Sequence, residues 1–344
     1  MHCANTMLLC KKMRSFLVIQ TAFTGDVILA TALIEQLKNS LPDATIDVLV
    51  RKGNETLLEN NPSIRNVLIW DKRKDKFKNL FRMLGRIRNE KYTDVVNLQR
   101  FASSGILTAF SGAKSKSGFD KNPFSVFFTH KIAHEIGNGK HEIERNSELI
   151  HYVSQGKAMR PVLYPSASDY SAVTKFQTQP YICIAPGSVW FTKTLPEAKW
   201  IDFIRHRLKN SPTQNIFLLG SPAEFALCES IINAAGSNRV FNMAGKLSFL
   251  ESAALMKNSK MNYVNDSAPM HIASAMNAPV TAVYCSTIPA FGFGPLSDES
   301  YLVETNEKLP CRPCGLHGFK SCPEKHFRCA LSISVEQMEK PHHV

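Results

Sequence analysis

The sequence predicts an α/β protein of two Rossmann-like, doubly wound parallel-sheet domains that face each other across a cleft. Three observations lead to this prediction. Strand and helix signals alternate along both halves of the chain, which is the βαβ order of a parallel sheet. A stretch rich in Pro, Ser and Thr, typical of a linker, separates the halves between residues 160 and 180. The length of 344 residues suffices for two domains of ordinary size.

The first predicted domain covers residues 1–165. Short apolar runs predict its strands at 16–20, 45–50, 67–70 and 94–98. A helix is predicted at 27–38, where apolar residues recur at helical spacing. We expect the residues before Met13 to form a loose extension.

The second predicted domain covers residues 166–344 and repeats this order. Its strands are predicted at 181–185, 216–219, 263–264 and 280–284, with helices at 196–209 and after Ser221. Ligands of open α/β sheets bind at the carboxyl ends of the strands. We therefore expect the binding site where those ends of the two sheets face each other.

The composition is basic, with 41 Lys and Arg against 29 Asp and Glu and a net charge of +12. This excess suggests an anionic partner such as a nucleotide, a phosphorylated substrate, nucleic acid or a membrane surface. The densest basic run, 72–88, also carries apolar residues at helical spacing. Two interpretations of it remain open: an amphipathic helix with a solvated basic face, or a binding patch.

The sequence predicts a cytoplasmic protein. It has no apolar run near the ~18 residues of a membrane span, and basic residues interrupt the apolar stretch near its start. Its nine cysteines are an odd number without a secretion signal, which favours reduced thiols.

The segment from 263 to 284, YVNDSAPMHIASAMNAPVTAVY, predicts a strand, a polar turn, a helix of small residues and a second strand. Asp266 and Ser267 are good N-cap residues, and Pro269 is tolerated in a first turn. Together with His271 they suggest that a phosphate-bearing ligand binds at this helix start. An ordinary βαβ corner is the alternative.

Thr24, Gly25 and Asp26 follow the first predicted strand and open a helix. Gly25 permits a sharp turn or a close approach by a ligand. Asp26 is either a helix cap or a carboxylate placed to accept a proton from a substrate hydroxyl.

Two further loops follow strands of the second half. Ser188 lies in a Gly-Ser turn with Lys193 close behind, a combination that suits a diphosphate, although a plain loop explains it equally well. Glu224 follows another strand and either accepts hydrogen bonds from ribose hydroxyls or acts as a first-turn helix residue.

Four cysteines lie near the end of the sequence, at Cys311, Cys314, Cys322 and Cys329. Four soft ligands within 19 residues could hold a structural zinc ion. The alternative is a compact loop with reduced thiols. The sequence contains no acidic DxD-type pair for a metal–nucleotide site, no G-x-S-x-G elbow and no H-E-x-x-H helix.

Taken in order, several of these segments resemble glycosyltransferase family 9, the ADP-heptose:lipopolysaccharide heptosyltransferases. The resemblance covers residues 16–338 and rests on TGDVILATALIEQLK, APGSVWFTKTLPEAKW, LLGSPAE, NMAGKLSFLESAALM, NDSAPMHIASAMNAPVTAVY and CRPC…SCPEKHFRCALSISVEQM. It implies the GT-B fold, with an acceptor-binding first domain and a donor-binding second domain. The cysteine-bearing tail, 311–329, most resembles the heptosyltransferase II branch.

The resemblance also implies an activity: inverting, metal-independent transfer of a heptose from ADP-heptose to the lipopolysaccharide core, with lipid A-Kdo as acceptor. Asp26 then matches the general base, and Lys193 with Ser188 would offset charge on the leaving diphosphate. Glu224 matches the ribose-binding acid, and Leu247 would lie against the adenine. The loop and helix start that would hold the diphosphate match Asp266, Ser267, Ala268, Met270 and His271.

The family pattern usually has Gly where Ala268 stands and an apolar residue where Pro269 stands, which leaves the donor sugar open. The family acts at the inner face of the inner membrane, so peripheral membrane contact is also implied. A second hypothesis is another GT-B enzyme, such as a UDP-sugar transferase or epimerase. A basic zinc-binding nucleic-acid module is the least supported hypothesis, because the sequence lacks a recognition helix or aromatic RNA motif, and we expect no nucleic-acid partner.

Overall fold

The computed structural model describes residues 13–72 and 76–344. The prediction of a loose extension before Met13 lies outside these residues. Within them, the first half forms six strands: β1 (Ser15–Ile19), β2 (Thr45–Arg51), β3 (Asn66–Trp70), β4 (Asp94–Asn97), β5 (Ser115–Phe119) and β6 (His130–Ile132). Its helices are α1 (Thr24–Ser40), α2 (Lys76–Glu90), α3 (Ala102–Ala109) and α4 (Glu142–Glu148).

The second half provides seven strands within the described residues: β7 (Tyr181–Ala185), β8 (Asn215–Leu218), β9 (Val240–Asn242), β10 (Asn262–Asn265), β11 (Val280–Tyr284), β12 (Ser300–Glu304) and β13 (His342–His343). Its helices are α5 (Ala167–Thr174), α6 (Glu197–Asn210), α7 (Phe225–Ala235), α8 (Phe249–Lys257), α9 (Ala268–Met276), α10 (Arg328–Leu331) and α11 (Val335–Glu339).

These strands form two separate sheets. The first has the order β3-β2-β1-β4-β5-β6 and the second the order β13-β12-β11-β10-β7-β8-β9. All pairs are parallel except β12 with β13, which is antiparallel. The predicted α/β class and the two doubly wound sheets are therefore confirmed. The domain boundary between residues 165 and 166 stays a prediction.

The predicted strands agree with the structure to within one or two residues at each end. The linker prediction for 160–180 was incomplete, because that segment contains α5. Ser166 caps α5 by accepting a hydrogen bond from the Asp169 backbone N–H at 3.2 Å. Short strands such as β6, β9 and β13 were not predicted, because two or three residues are too few to show an apolar pattern.

The apolar core is continuous between the domains. Strands β1 and β7 are buried along nearly their whole length, as expected for parallel strands covered on both faces. One buried cluster contains Val27 and Ile28 of α1 together with Met270 and Ala273 of α9. The two sheets are thus joined by direct packing of α1 against α9. No helix among the described residues combines the length and apolar character needed to span a bilayer.

Candidate active site

The start of α1 places Asp26 where the two domains meet. Its carboxylate Oδ2 accepts a hydrogen bond from the Phe23 backbone N–H at 3.2 Å, so the capping interpretation is correct. Burial raises the pKa of Asp26 above its usual value, against the opposing effect of nearby backbone N–H groups and of His317 and Lys193. A carboxylate with a raised pKa is a stronger base, so capping and proton acceptance are compatible at this residue.

Gly25 allows a close contact between the starts of α1 and α9. A Cβ atom at this position would lie 2.8 Å from Cδ2 of His271 and 3.9 Å from Cα of Ala268. The first of these distances is too short for any side chain. The absence of a side chain at Gly25 therefore lets the His271 imidazole of the second domain lie against the residue that directly precedes Asp26.

His271 is a buried, neutral imidazole at this contact. Burial lowers its pKa to about 3, an effect reinforced by His141 and Lys193 and opposed by Asp266. Its Nδ1 atom has no hydrogen-bond partner among the described residues. The side chain therefore contributes shape and packing at the domain contact and carries no charge at neutral pH.

Lys193 and Asp266 form an ion pair at the carboxyl ends of the second sheet. The Nζ–Oδ2 distance is 2.8 Å, and the side chains are 15% and 9% exposed. The same Oδ2 atom accepts a hydrogen bond from Thr287 Oγ1 at 2.6 Å. Asp266 is therefore not the helix cap that the sequence suggested. Its carboxylate positions the ammonium group of Lys193.

Ser267 occupies the N-cap position of α9, but no hydrogen bond from the helix reaches its side chain. Its hydroxyl instead donates to the backbone carbonyl of Asn265 at 3.3 Å. The first turn of α9 begins with Ala268 and Pro269, which border the cleft described next. Met270 points away from it, since its side chain is fully buried and its Sδ atom contacts the Tyr284 hydroxyl at 3.3 Å.

A cleft of about 620 Å³ opens beside this helix start. Five predicted residues line it, namely Ser188, Glu224, Leu247, Ser267 and Ala268. Met270 and His271 are not among the lining residues, and neither are Asp26, Lys193 and Asp266. The first domain contributes Thr24, which the sequence placed at the opening of α1 without a binding role, and Thr56, which no sequence pattern indicated. The volume suits a small ligand with both polar and apolar parts.

Two glycines make room for Glu224 at the rim of this cleft. The carboxylate accepts a hydrogen bond from the Ser221 backbone N–H at 2.7 Å, so it caps the turn at Pro222–Glu224. A Cβ at Gly187 would overlap Glu224 Oε1, and one at Gly220 would lie 3.0 Å from Glu224 Cβ. The carboxylate thus lies directly against the loop that carries Ser188.

The predicted zinc centre is not supported. Among the residues that the structure describes, no three His, Cys, Asp or Glu side chains are arranged to hold a metal ion. Cys329 is buried in an apolar cluster, where burial raises its pKa to about 11, so it is a packed thiol. Cys314 donates to the Cys311 backbone carbonyl at 3.3 Å, and Cys311 lies 3.8 Å from His326 Nε2. Cys322 is only partly buried at the edge of that cluster.

The cysteine-bearing tail instead packs against the segment that carries Lys193. The backbones of Thr192 and Phe319 are hydrogen-bonded, and the Phe319 N–H also donates to Thr192 Oγ1 at 2.8 Å. Gly318 has a φ of +75°, and a Cβ there would lie 2.8 Å from Thr192 Oγ1 and 3.1 Å from Lys193 Cγ. This contact was not predicted from the sequence, because the two segments are more than 120 residues apart.

A second cleft of about 550 Å³ has a basic lining contributed by both domains: Arg100, Phe101, Lys121, His134, Ile136 and, from the cysteine-bearing tail, His317. Burial lowers the pKa of His134 to about 4, so Arg100 and Lys121 supply the positive charge at neutral pH. This cleft was not predicted from the sequence. Arg100 lies three residues after the end of β4, at the same sheet edge as Asp26. That position in the sequence could have indicated that Arg100 is a site residue.

Two Rossmann-like domains with a ligand-sized cleft between them define the GT-B class of enzymes. The family model for glycosyltransferase family 9 (heptosyltransferase) matches residues 80–317, more than half of the chain. The chain therefore belongs to glycosyltransferase family 9 and is a glycosyltransferase.

Individual comparisons agree with this assignment. A lipopolysaccharide heptosyltransferase 3 of Escherichia coli is 29% identical over 290 residues, which cover 77% of this chain and 82% of the relative. The family 9 glycosyltransferase of Veillonella parvula superposes with a TM-score of 0.84 at 20% identity, covering 95% of both chains. Heptosyltransferase II of E. coli superposes with a TM-score of 0.77 at 18% identity, covering 95% of this chain and 96% of that one.

Further matches are named as type 1 and type 2 heptosyltransferases, at 24% and 25% identity. The relatives are thus spread over three types. Membership of the heptosyltransferase II branch therefore stays a prediction.

Proposed function

We propose that this enzyme transfers a heptose from ADP-heptose to the inner core of lipopolysaccharide, with inversion at the anomeric carbon and without a catalytic metal. The observation that carries the proposal is that a carboxylate from one domain and an ammonium group from the other lie at the same domain junction. The raised-pKa carboxylate of Asp26 belongs to the first domain, and the ammonium of Lys193 belongs to the second. The names of the related proteins support the donor and acceptor classes.

The 620 Å³ cleft is proposed as the donor site. Leu247 would lie against the adenine and Glu224 would accept hydrogen bonds from the ribose hydroxyls. The diphosphate would lie between Ser188 and the start of α9, where the helix dipole favours negative charge. A structural neighbour, an E. coli heptosyltransferase, was solved with ADP, which supports an adenine nucleotide here.

Asp26 and Lys193 then have complementary roles in the reaction. An acceptor hydroxyl oxygen attacks the anomeric carbon of the heptose while Asp26 takes its proton. The bond from that carbon to the diphosphate oxygen breaks, and its electron pair leaves with ADP. Lys193 offsets the negative charge that grows on the leaving group.

Asp266 is proposed to keep Lys193 ready for this role. The ion pair uses one of the three N–H donors of the ammonium, so two remain for phosphate oxygens. A carboxylate would itself repel a diphosphate. We therefore assign Asp266 to the positioning of Lys193, and diphosphate binding to Ser188, Ser267 and the α9 start.

The second, basic cleft is proposed as part of the acceptor site. The lipid A-Kdo core carries carboxylates and phosphates, and Arg100 and Lys121 are suited to bind them. The enzyme would then work in the cytoplasm, in peripheral contact with the inner face of the inner membrane. Its first domain would bind the acceptor and its second domain the donor.

The proposal is tested by incubating the purified enzyme with ADP-heptose and a core acceptor that ends in Kdo. We expect stoichiometric ADP release, a product heavier by one heptose, and no effect of EDTA. Turnover of a UDP-sugar but not of ADP-heptose would contradict the donor and favour the second hypothesis. Loss of activity in EDTA with rescue by a metal would contradict the metal-independent mechanism.

A further inference from the structure

Helix α2 exposes aromatic and basic side chains side by side. Its buried face, formed by Leu80, Met83 and Ile87, packs into an apolar cluster of the first sheet. On the exposed surface beside this face, Phe77 and Phe81 are 71% and 65% exposed. The four-residue spacing puts the two rings next to each other on the helix surface. An isolated exposed aromatic side chain is common, but two adjacent ones form a patch.

Basic residues flank these rings. Lys78, Arg82 and Arg86 recur every four residues and form a stripe beside the two rings, and Arg88 lies seven residues beyond Phe81. All four of these basic residues are exposed. No carboxylate among the described residues lies within ion-pair distance of them. This combination exceeds what solubility requires, because the rings reduce solubility while the cations attract anions.

The position of α2 relates this surface to the active site. Helix α2 follows β3 and α1 follows β1, and the two strands are parallel members of one sheet. The starts of both helices therefore lie at the same sheet edge. A direct contact supports this, since Lys72 Nζ, just before α2, donates to Thr21 Oγ1, just after β1, at 2.8 Å. The end of α2 that carries Phe77 and Phe81 is thus on the side where Asp26 lies.

We propose that this face of α2, comprising Phe77, Lys78, Phe81, Arg82, Arg86 and Arg88, docks the enzyme onto an anionic phospholipid surface. The aromatic rings enter the interfacial layer and the cations pair with lipid phosphates. The charge complementarity and the exposed rings together select a lipid surface over a purely ionic partner. The inference deepens the proposed function, because a lipid-linked acceptor would be presented at that edge.

The test is co-sedimentation of the full-length enzyme with vesicles. The wild-type protein should bind vesicles of phosphatidylethanolamine with phosphatidylglycerol and should not bind vesicles of phosphatidylcholine alone. Arg82→Gln/Arg86→Gln should weaken binding roughly 25-fold, since each cation near an anionic surface contributes about a factor of five. Phe77→Gln/Phe81→Gln should weaken it by about tenfold or more.

Matched controls remove similar groups from the second domain. Leu331→Gln replaces a half-exposed apolar side chain, and Lys209→Gln/Lys340→Gln removes two exposed charges. Both variants should bind vesicles like the wild type. Because binding is compared at equal circular dichroism and melting temperature, a folding defect is recognised separately. Phe81→Trp should retain binding and show a blue-shifted emission on anionic vesicles, relative to the wild-type background.

Three results would overturn the inference: vesicle binding as tight as wild type by the Phe77→Gln/Phe81→Gln variant, unchanged emission of Phe81→Trp on vesicles, or aromatic-dependent binding of heparin with no vesicle binding. The last would identify a soluble polyanion as the occupant. Vesicle binding requires no turnover. Failure of heptose transfer would therefore overturn the proposed function alone. Loss of vesicle binding by the Phe77→Gln/Phe81→Gln variant, with unchanged transfer to a deacylated, soluble acceptor, supports the inference.

Discussion

Gly25 of the first domain and His271 of the second are in direct contact, and a single methyl group at Gly25 would lie only 2.8 Å from the imidazole Cδ2 atom. The contact joins the starts of α1 and α9. On either side of it lie Asp26 and Ala268, a proposed catalytic residue and a residue lining the proposed donor cleft. The distance between the starts of α1 and α9 therefore depends on the absence of a side chain at Gly25.

Gly25→Ala should separate the starts of α1 and α9. We expect the free energy of unfolding to fall by about 1–3 kcal/mol, as in other overpacked cores, and turnover to fall roughly 100-fold, because the reacting groups no longer align. Urea unfolding and steady-state kinetics measure the two effects. The control is Gly85→Ala on exposed α2, where a Cβ meets nothing within 4 Å; it should be neutral or slightly stabilising. Equal behaviour of the two variants would contradict the proposed tight contact.

Asp26→Asn should abolish transfer while ADP binding survives. The amide can still accept the capping hydrogen bond from Phe23, but it cannot take a proton, so turnover should fall at least about 100-fold. Since burial raises the pKa of Asp26, the acid limb of the wild-type pH–rate profile should lie above the usual value of 3.8, and activity should be lost as pH falls through it. Calorimetric ADP titration and pH–rate measurements test this. Near-normal turnover by the variant would remove Asp26 from its role.

Lys193→Met should reduce turnover roughly 100- to 1000-fold through lost stabilisation of the leaving diphosphate. It should also lower the free energy of unfolding by about 3 kcal/mol, because Asp266 would be left as a buried, unpaired charge. Adding Asp266→Asn to the same chain should restore most of the stability but none of the activity. Recovery of activity in the double variant would show that the ammonium group is dispensable.

The cysteines of the tail should behave unequally. Cys329→Ser places a hydroxyl in an apolar cluster and should cost about 1–3 kcal/mol. Cys311→Ser alters a half-buried thiol and should change stability by no more than about 0.5 kcal/mol. Elemental analysis should find no stoichiometric zinc. Equal, large losses at both positions, together with one bound zinc per chain, would restore the metal hypothesis.

Local sequence was informative where a functional residue follows a buried strand. The strands ending near Ile19 and Ala185 are strongly apolar, so the sequence alone assigns Asp26 and Ser188 to the sheet edge. The direction of a helical side chain was harder to predict. Met270 belongs to the same helix start as Ala268, yet it points into the core, because the second sheet covers that side of α9.

Long-range contacts were not accessible from sequence. The pairing of Lys193 with Asp266 spans 73 positions, and the approach of Gly318 to Thr192 depends on the path of the whole tail. In neither pair does the local sequence around one residue indicate which distant residue it contacts. The four clustered cysteines suggested a metal site only because a sequence does not show which thiols are buried in an apolar cluster.

The apolar cluster shared by α1 and α9 has a mechanical consequence. Wide separation of the two sheets would expose Val27, Ile28, Met270 and Ala273 to water, at a free-energy cost that rises with every apolar side chain uncovered. The domains are therefore expected to pivot about this contact rather than swing apart, and to melt in one cooperative transition. Substrates would then reach the clefts while the contact between α1 and α9 stays closed.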